Sequence, residues 1–306
     1  LVLVGDNDAS RRRWVWLRDV NRDGDALDVG ESGVFAEAGN PGGFLFGSPT
    51  GVAFLPSGQA VLANAGNASG SDSLFIAGDQ NGDNDAMDAG EVVNWVTVNG
   101  FGAGNGSYGP QEPLALGEQQ VLFKNSSTNL HGVYRLVEGD NTGAIDATSE
   151  FTTVFSTASG IALGAGFSLE GDRDVRGVYY TNQTISLPPT ARQVIRLQDA
   201  NDDGDTQDTG EALIAFSSTE SGLAIVDLVS LPGGALIASD SSGGRLIKFE
   251  DLVGGDHLYN DPSERSTIFT QEGGVSLAGS FVLYPTGCNS ADVVSVGGGA
   301  ISDGKL

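Results

Sequence analysis

The chain has 306 residues, with 40 acidic and 15 basic side chains and a formal net charge of −25. This charge argues against nucleic acid as a partner, because proteins bind its phosphates through Lys and Arg. The longest apolar runs fall far short of the roughly 20 residues that a membrane-spanning helix needs, so we expect no membrane span.

The composition predicts a folded, sheet-rich protein. Hydrophobic residues make up 39% of the chain and charged residues 18%, which is compatible with a packed core. The 46 glycines suit tight turns between strands. The single cysteine, Cys288, has no second cysteine with which to form an internal disulfide. We expect one domain that spans residues 1–306.

Short β-branched and aromatic runs, bounded by turn residues, predict strands along most of the chain. In chain order, the clearest are Trp14–Arg18, Gly51–Leu55, Gln59–Ala63, Ser73–Ala77, Val92–Val98, Gln193–Leu197, Ala212–Phe216, Leu223–Val226 and Ala235–Ser239. No stretch of helix length has a convincing helical period.

An acidic motif, D-x-N-x-D-x-D-x-x-D-x-G-E, occurs three times between predicted strands, at residues 19–31, 79–91 and 199–211. Two eroded copies lie at 138–150 and 251–264. When the closing glutamates are aligned, most copies are about 60 residues apart, a period typical of propeller blades or solenoids. Four strands per repeat favour a β-propeller.

The two termini predict how the propeller closes. Ile301–Leu306 followed by Leu1–Asn7 matches Leu55–Asn67 without a gap, so one blade would combine C-terminal and N-terminal segments. Five blades are favoured. Extra strand-like segments at Gly274–Ala278 and Phe281–Tyr284 leave six as an alternative, and a β-solenoid is a third. The expected blades are approximately 294–306 with 1–40, then 48–99, 108–157, 158–217 and 219–271.

The acidic motifs resemble the calcium loops of EF-hand and dockerin proteins, because carboxylate and amide oxygens recur at positions 1, 3, 5 and 7. They differ in having a closing Glu at position 13, an additional Asp at position 10, and strands on both sides. The resemblance implies several calcium ions. The candidate ligands are Asp19, Asn21, Asp23, Asp25, Asp28 and Glu31; Asp79, Asn81, Asp83, Asp85, Asp88 and Glu91; and Asp199, Asn201, Asp203, Asp205, Asp208 and Glu211.

The starts of the predicted inner strands contain a second set of candidates. Glu112, Glu220 and Glu272 would point at the mouth of the central channel and form an axial metal or ligand site. These positions are similar to the inner-strand glutamates of gluconolactonase and senescence-marker propellers, which bind a catalytic divalent metal. That resemblance implies a calcium-dependent hydrolase or lyase. The alternative is that these glutamates only make the channel entrance hydrophilic and bind no ligand.

The sequence favours a protein without catalytic activity over an enzyme. We expect a secreted, cell-surface or periplasmic propeller in which calcium is structural and which acts as a binding or assembly module for a protein or carbohydrate partner. Packing between blades is favoured for the three tryptophans, Trp14, Trp16 and Trp95, because propeller sheets bury both faces, and stacking on sugar rings is the alternative. His131 and His257 lie in predicted turns.

Overall fold

The computed structural model describes residues 2–8, 11–44, 46–65, 72–97, 109–125, 127, 130–171, 177–183, 192–218, 223, 225–231, 233–240, 243–270, 280–286 and 290–296. Over these ranges the chain is all-β, as predicted, with only three short 3-10 helices: Thr148–Glu150, Thr157–Ser159 and Pro262–Glu264. No helix in the described part of the chain is both long and apolar enough to cross a bilayer.

The strands, numbered in chain order, are β1 (Val2–Asp6), β2 (Arg13–Leu17), β3 (Ser32–Glu37), β4 (Pro49–Phe54), β5 (Ala60–Asn64), β6 (Ser73–Ala77), β7 (Val92–Asn94), β8 (Pro110–Gly117), β9 (Gln120–Asn125), β10 (Gly132–Val137), β11 (Phe151–Phe155), β12 (Ala165–Gly171), β13 (Val178–Gln183), β14 (Arg192–Leu197), β15 (Ala212–Ser218), β16 (Ile225–Ser230), β17 (Leu236–Asp240), β18 (Arg245–Phe249), β19 (Arg265–Thr270), β20 (Ser280–Thr286) and β21 (Ser290–Val296).

Two compact units divide the chain, Leu1–Val154 and Phe155–Leu306. The first holds a three-stranded sheet, β1 to β3, and two four-stranded sheets, β4 to β7 and β8 to β11. The second holds the four-stranded sheets β12 to β15 and β16 to β19, and the hairpin of β20 and β21. The predicted fold class is confirmed, with five blades favoured correctly over six: these sheets are blades of a five-bladed β-propeller.

The three-stranded sheet corresponds to strands two to four of a blade. Its β2 aligns with β6 in the repeat, and Asp6 pairs with Arg13 as Asn64 pairs with Ser73. The segment predicted to supply its first strand, 301–306, lies outside the described residues, as does Gly274–Ala278.

Two strand predictions need correction. The strand predicted at Leu223–Val226 is β16, which begins at Ile225 and runs to Ser230, because its pairing with β17 continues up to the turn, where Ser230 lies opposite Leu236. The strand predicted at Val92–Val98 ends at Asn94, because Val96 instead forms a parallel bridge with Ile145 from the following blade.

The faces of neighbouring sheets pack against each other. In the first unit, one apolar cluster includes Trp14, Phe35, Leu62 and Phe75, and another is built around Trp95. Trp14 and Trp95 are buried, so the sugar-stacking hypothesis is wrong for both side chains, and their burial instead stabilises the contact between sheets.

Candidate metal-binding loops

All three full copies of the acidic motif have the same hydrogen-bond ladder. Each copy joins the third strand of a blade to the fourth. Its side-chain oxygens at positions 3, 5 and 7 accept the backbone N–H two residues further on. In the first loop, Asn21, Asp23 and Asp25 accept N–H groups at distances of 2.9, 3.2 and 2.9 Å. The other two loops repeat these contacts. The acidic side chains therefore fix the loop backbone themselves.

The first position of the motif closes the turn. Asp79 Oδ1 accepts from Gly82 at 2.6 Å and its Oδ2 accepts from Asn84 at 2.9 Å. Burial alone would raise the pKa of Asp79, but the N–H groups of Asn84 and Gly82 outweigh it, so this pKa lies below its ordinary value. Asp79 is therefore an anion at neutral pH. Asn84, which donates to the Asp79 carboxylate, has a left-handed backbone with a φ of 74°.

An amide group lies where carboxylates converge. Asn21 Nδ2 donates to Asp23 Oδ2 at 2.9 Å and to Asp28 Oδ2 at 2.6 Å. The Asn at position 3 of the other two loops bridges the same two positions. The additional Asp at position 10 therefore turns its side chain into the loop, where its carboxylate and that of position 5 share one amide donor.

Two loops bring three carboxylates close enough to share an ion. Oxygen atoms of Asp23, Asp25 and Glu31 lie within 4.8 Å of one another, and so do oxygens of the third-loop trio, Asp203, Asp205 and Glu211. The second loop is described in full, and its corresponding trio falls outside this distance. Carboxylate oxygens are the ligands that a hard divalent cation prefers, so the donor set fits calcium. The ligand assignments stay predictions.

The closing glutamate has a role that the sequence left open. Glu31 is buried, and both of its carboxylate oxygens accept backbone N–H groups from the two ends of the loop. Its Oε1 accepts from Val20 at 2.8 Å, and its Oε2 accepts from Asp28 at 3.2 Å. This carboxylate ties the start of the loop to its end and acts as a clamp. Glu91 and Glu211 make the same contacts.

Sequence reasoning missed that the eroded copies keep this clamp. Glu150 and Glu264 are both buried. Glu150 accepts from Gly139 and Ala147 at 2.8 and 3.1 Å, and Glu264 accepts from Val253 at 3.1 Å. The available signal was the alignment of the closing glutamates, which holds in all five copies while the Asp and Asn array survives in three. The clamp thus belongs to the fold, and the Asp and Asn array is what distinguishes the three candidate metal-binding loops.

The fourth loop also gathers carboxylates. Oxygens of Glu138, Asp140 and Glu150 lie within 4.8 Å of one another. Glu138 is nevertheless occupied by internal donors, because its Oε1 accepts from Gly143 and its Oε2 from Gln119. Glu138 therefore has internal donors of the same kind as Glu31, and the fourth loop differs from the full copies by the loss of the Asp and Asn array rather than by these contacts.

Glu112, the described member of the predicted axial set, lies at the start of inner strand β8. It is half-buried and has a left-handed backbone, φ 45°. Gly51 of the neighbouring inner strand is close by, since a Cβ on Gly51 would lie 2.6 Å from the Glu112 nitrogen. Glu220 and Glu272 lie outside the described residues, so convergence of the three stays a prediction.

The acidic loops and Glu112 occupy opposite ends of a blade. In an antiparallel meander, the loop between strands three and four lies beside the turn between strands one and two. Gln119 of that turn donates to Glu138 at 2.7 Å. Glu112 is about 17 Å away along β8, taking 3.3 Å per residue. Ions in the loops would therefore not reach a site at Glu112.

The end of the blade that contains Glu112 also holds buried polar groups that the sequence did not single out. Lys124 and Asn125 of β9 are fully buried, and the Asn125 side-chain nitrogen has no hydrogen-bond partner. Burial lowers the pKa of His131, the charge of Lys124 lowers it further, and a hydrogen bond with the Asn125 backbone acts in the opposite direction. His131 is therefore a neutral, half-buried side chain rather than a solvated turn residue.

No protein family matches the sequence. No curated protein matches it either. The fold resembles solved structures. A chain of a nidogen/laminin complex aligns with a TM-score of 0.56 at 12% identity, over 96% of this chain and 84% of that chain.

Two lactonase structures are also similar in fold. A gluconolactonase from Xanthomonas campestris aligns with a TM-score of 0.52 at 13% identity, over 90% of this chain and 73% of that one. A putative 6-phosphogluconolactonase from Bacteroides uniformis aligns with a TM-score of 0.50 at 12% identity, over 88% and 68%. At these identities the likeness shows the β-propeller fold alone.

Proposed function

We propose that the protein is a calcium-binding β-propeller in which the ions are structural, and that it acts as a binding or assembly module outside the cytosol. The observation that carries the proposal is the threefold recurrence of one hydrogen-bond ladder, in which carboxylates and an amide converge on one point of each loop. A bound ion would supply positive charge and accept oxygen ligands at that point.

Electrostatics favours a cation in these loops. Like charges repel by about 1 kcal/mol per close pair even in a water-like dielectric, and the Asp23, Asp25 and Glu31 oxygens approach within 4.8 Å. A divalent ion bound between these carboxylates would replace their mutual repulsion with attraction to the ion. Calcium suits the site better than magnesium, because magnesium binds through few carboxylates and keeps several waters.

A location with abundant calcium supports the structural role. Extracellular calcium modules have dissociation constants of about 10⁻⁴ to 10⁻³ M, so calcium at about 1 mM exceeds them by up to about tenfold and stabilises a folded protein by up to about 1.4 kcal/mol per site. We therefore propose an extracellular, cell-surface or periplasmic location. The partner would be a protein or a carbohydrate.

Metal content and thermal stability test the proposal together. We expect native mass spectrometry to count three bound calcium ions, and a chelator to lower the melting temperature. The triple variant Asp25→Asn, Asp85→Asn, Asp205→Asn should lose the ions and the response to chelator. Asp140→Asn in the fourth loop serves as the control and should keep both. An unchanged melting temperature in chelator would contradict structural calcium.

A calcium-dependent lactonase is the second candidate function. It is favoured by Glu112, whose left-handed backbone lies against Gly51, and by the unpartnered side-chain nitrogen of the buried Asn125 at the same end of the blade. Strained backbone is often retained at functional sites. Hydrolysis of a sugar lactone that is abolished by Glu112→Gln, together with a fourth bound ion lost in that variant, would favour the enzyme over the module.

A further inference from the structure

The second acidic loop is held against the preceding blade by two hydrogen bonds. The Ala86 N–H donates to the Phe35 carbonyl at 2.7 Å, and the Glu37 N–H donates to the Met87 Sδ at 3.3 Å. Phe35 and Glu37 belong to β3, and both partners of each bond lie in the first unit. Ala86 is fully buried. These two bonds form a joint between the second loop and β3, which we call the loop joint.

The side chain at position 9 of the motif has the same role in the second unit. Gln207, at position 9 of the third loop, accepts through Oε1 from the Ser156 hydroxyl at 2.6 Å, and Ser156 directly follows β11. An acceptor side chain at position 9 that receives a donor from the end of an earlier fourth strand therefore occurs twice. In the second loop this acceptor is a thioether sulfur.

The sulfur of Met87 is open to chemical attack. Met87 is the single methionine of the chain, and its side chain is half-buried at the edge of an exposed segment, residues 88–90. Asp85 and Asp88 flank it, and their carboxylates repel anionic oxidants. A small neutral oxidant such as hydrogen peroxide is not repelled, so peroxide is the chemical class that suits this position.

The reaction with peroxide is a simple oxygen transfer. A lone pair of Sδ attacks one peroxide oxygen, the O–O bond breaks and an S–O bond forms. The proton on the transferred oxygen passes to the departing hydroxide, which leaves as water. The sulfur loses two electrons and the peroxide gains them. The product, methionine sulfoxide, is polar where the thioether was apolar, and reductases convert it back.

An oxygen atom on this sulfur does not fit the loop joint as it stands. The Sδ and the Glu37 nitrogen are 3.3 Å apart, which leaves no space for an atom between them. Met87 also supplies the N–H that Asp85 Oδ1 accepts at 2.8 Å, the last rung of the loop's hydrogen-bond ladder. A displacement of Met87 therefore acts on both Ala86, its neighbour in the joint, and the ladder.

We propose that Met87 is a peroxide-reactive site, and that its oxidation to the sulfoxide releases the second acidic loop from β3. Reduction of the sulfoxide restores the joint. The inference goes beyond the proposed function and does not rest on calcium binding, because both bonds of the joint are made by the protein alone.

Hydrogen exchange of the Ala86 amide, followed by NMR before and after peroxide, tests the proposal. Peptide mass spectrometry should find one added oxygen at Met87. We expect the Ala86 N–H to exchange at least about tenfold faster in the oxidised protein, because a released loop opens locally more often. Methionine sulfoxide reductase should remove the oxygen and restore the slow exchange.

Two variants separate this contact from any other effect of peroxide. Met87→Gln supplies the acceptor that the third loop uses and has no sulfur, so its Ala86 exchange should stay slow with and without peroxide. Met87→Leu has no acceptor, so exchange should be fast in both conditions. Cys288 is present in both variants, so a peroxide effect that arises from the cysteine persists in them.

Circular dichroism checks that each variant is folded. Three results would each overturn the proposal: a Met87 that excess peroxide leaves unmodified in the folded protein, an oxidised protein in which the Ala86 N–H exchanges as slowly as before, or a Met87→Gln variant that responds to peroxide as the wild type does.

Discussion

The closing glutamate of the fourth loop allows a direct test of whether the clamp stabilises the fold independently of any metal ion. Glu150 Oε1 accepts the Gly139 N–H at 2.8 Å, and Oε2 accepts the N–H groups of Asp146 and Ala147 at 3.0 and 3.1 Å. The N–H of Gly139 is the largest cause that holds the pKa of Glu150 below its ordinary value of 4.5. We predict that Glu150→Gln destabilises the protein even without calcium.

The expected size follows from the hydrogen bonds. A hydrogen bond to a charged group contributes about 1.5 to 3 kcal/mol, and a buried donor left without a partner costs about 1 to 3 kcal/mol. Glutamine keeps one acceptor but turns an NH₂ group toward the remaining N–H donors, so one or two bonds are lost. We expect the free energy of unfolding to fall by about 3 kcal/mol, which is well above the change usual for a surface substitution.

Equilibrium unfolding in denaturant, with chelator present, measures this change. Asp140→Asn is the control, because it removes the same charge from an exposed residue of the same loop. Since the folded state lowers the pKa of Glu150, its contribution is fully present above about pH 4.5 and is lost as the pH falls through the folded value. If Glu150→Gln were as stable as the control at neutral pH, the clamp would not hold the loop.

Two further predictions concern the metal array and the buried histidine. Asp205→Asn keeps the oxygen that accepts the Gln207 N–H at 2.8 Å but removes a charge, so calorimetry should show calcium binding at this loop weakened by at least about tenfold, with unchanged stability in chelator. Burial and the charge of Lys124 lower the pKa of His131 below 6.5, so the neutral form is favoured and stability should decline as the pH falls through the folded value. His131→Gln should remove this decline in melting curves between about pH 7 and pH 5, and a wild-type slope in that variant would refute the assignment.

The strands and the repeat were readable from the sequence because both depend on local order. β6 was predicted at its true bounds, Ser73–Ala77, from alternation between turn residues. The predicted strand bounds were wrong where a residue distant in the sequence determines the end of the strand. The strand that begins at Val92 stops at Asn94 because Ile145, 51 residues further on, pairs with the next backbone groups.

In the candidate sites, too, features that depend on local contacts were predictable and features that depend on distant contacts were not. Positions 1, 3, 5 and 7 of each loop bond mainly to residues within the same few positions, so the motif spacing was sufficient to predict a folded acidic loop. The role of Glu31 was not readable, because its partners Val20 and Asp28 are brought to one carboxylate only when the loop closes. The burial of Trp14 was expected from the sequence, because the sheets of a propeller bury both faces, and its apolar cluster confirms that expectation.

The sequence by itself determined the period, the all-β class and the placing of 16 of the 40 acidic residues in three loops, because these are properties of residue order. Only the tertiary structure decided that the closing glutamates are clamps and that the acidic loops and Glu112 lie at opposite ends of a blade. The physical reason is that a carboxylate, a bulge or an apolar side chain acquires its function from the donors, acceptors and surfaces that folding brings to it from distant parts of the chain.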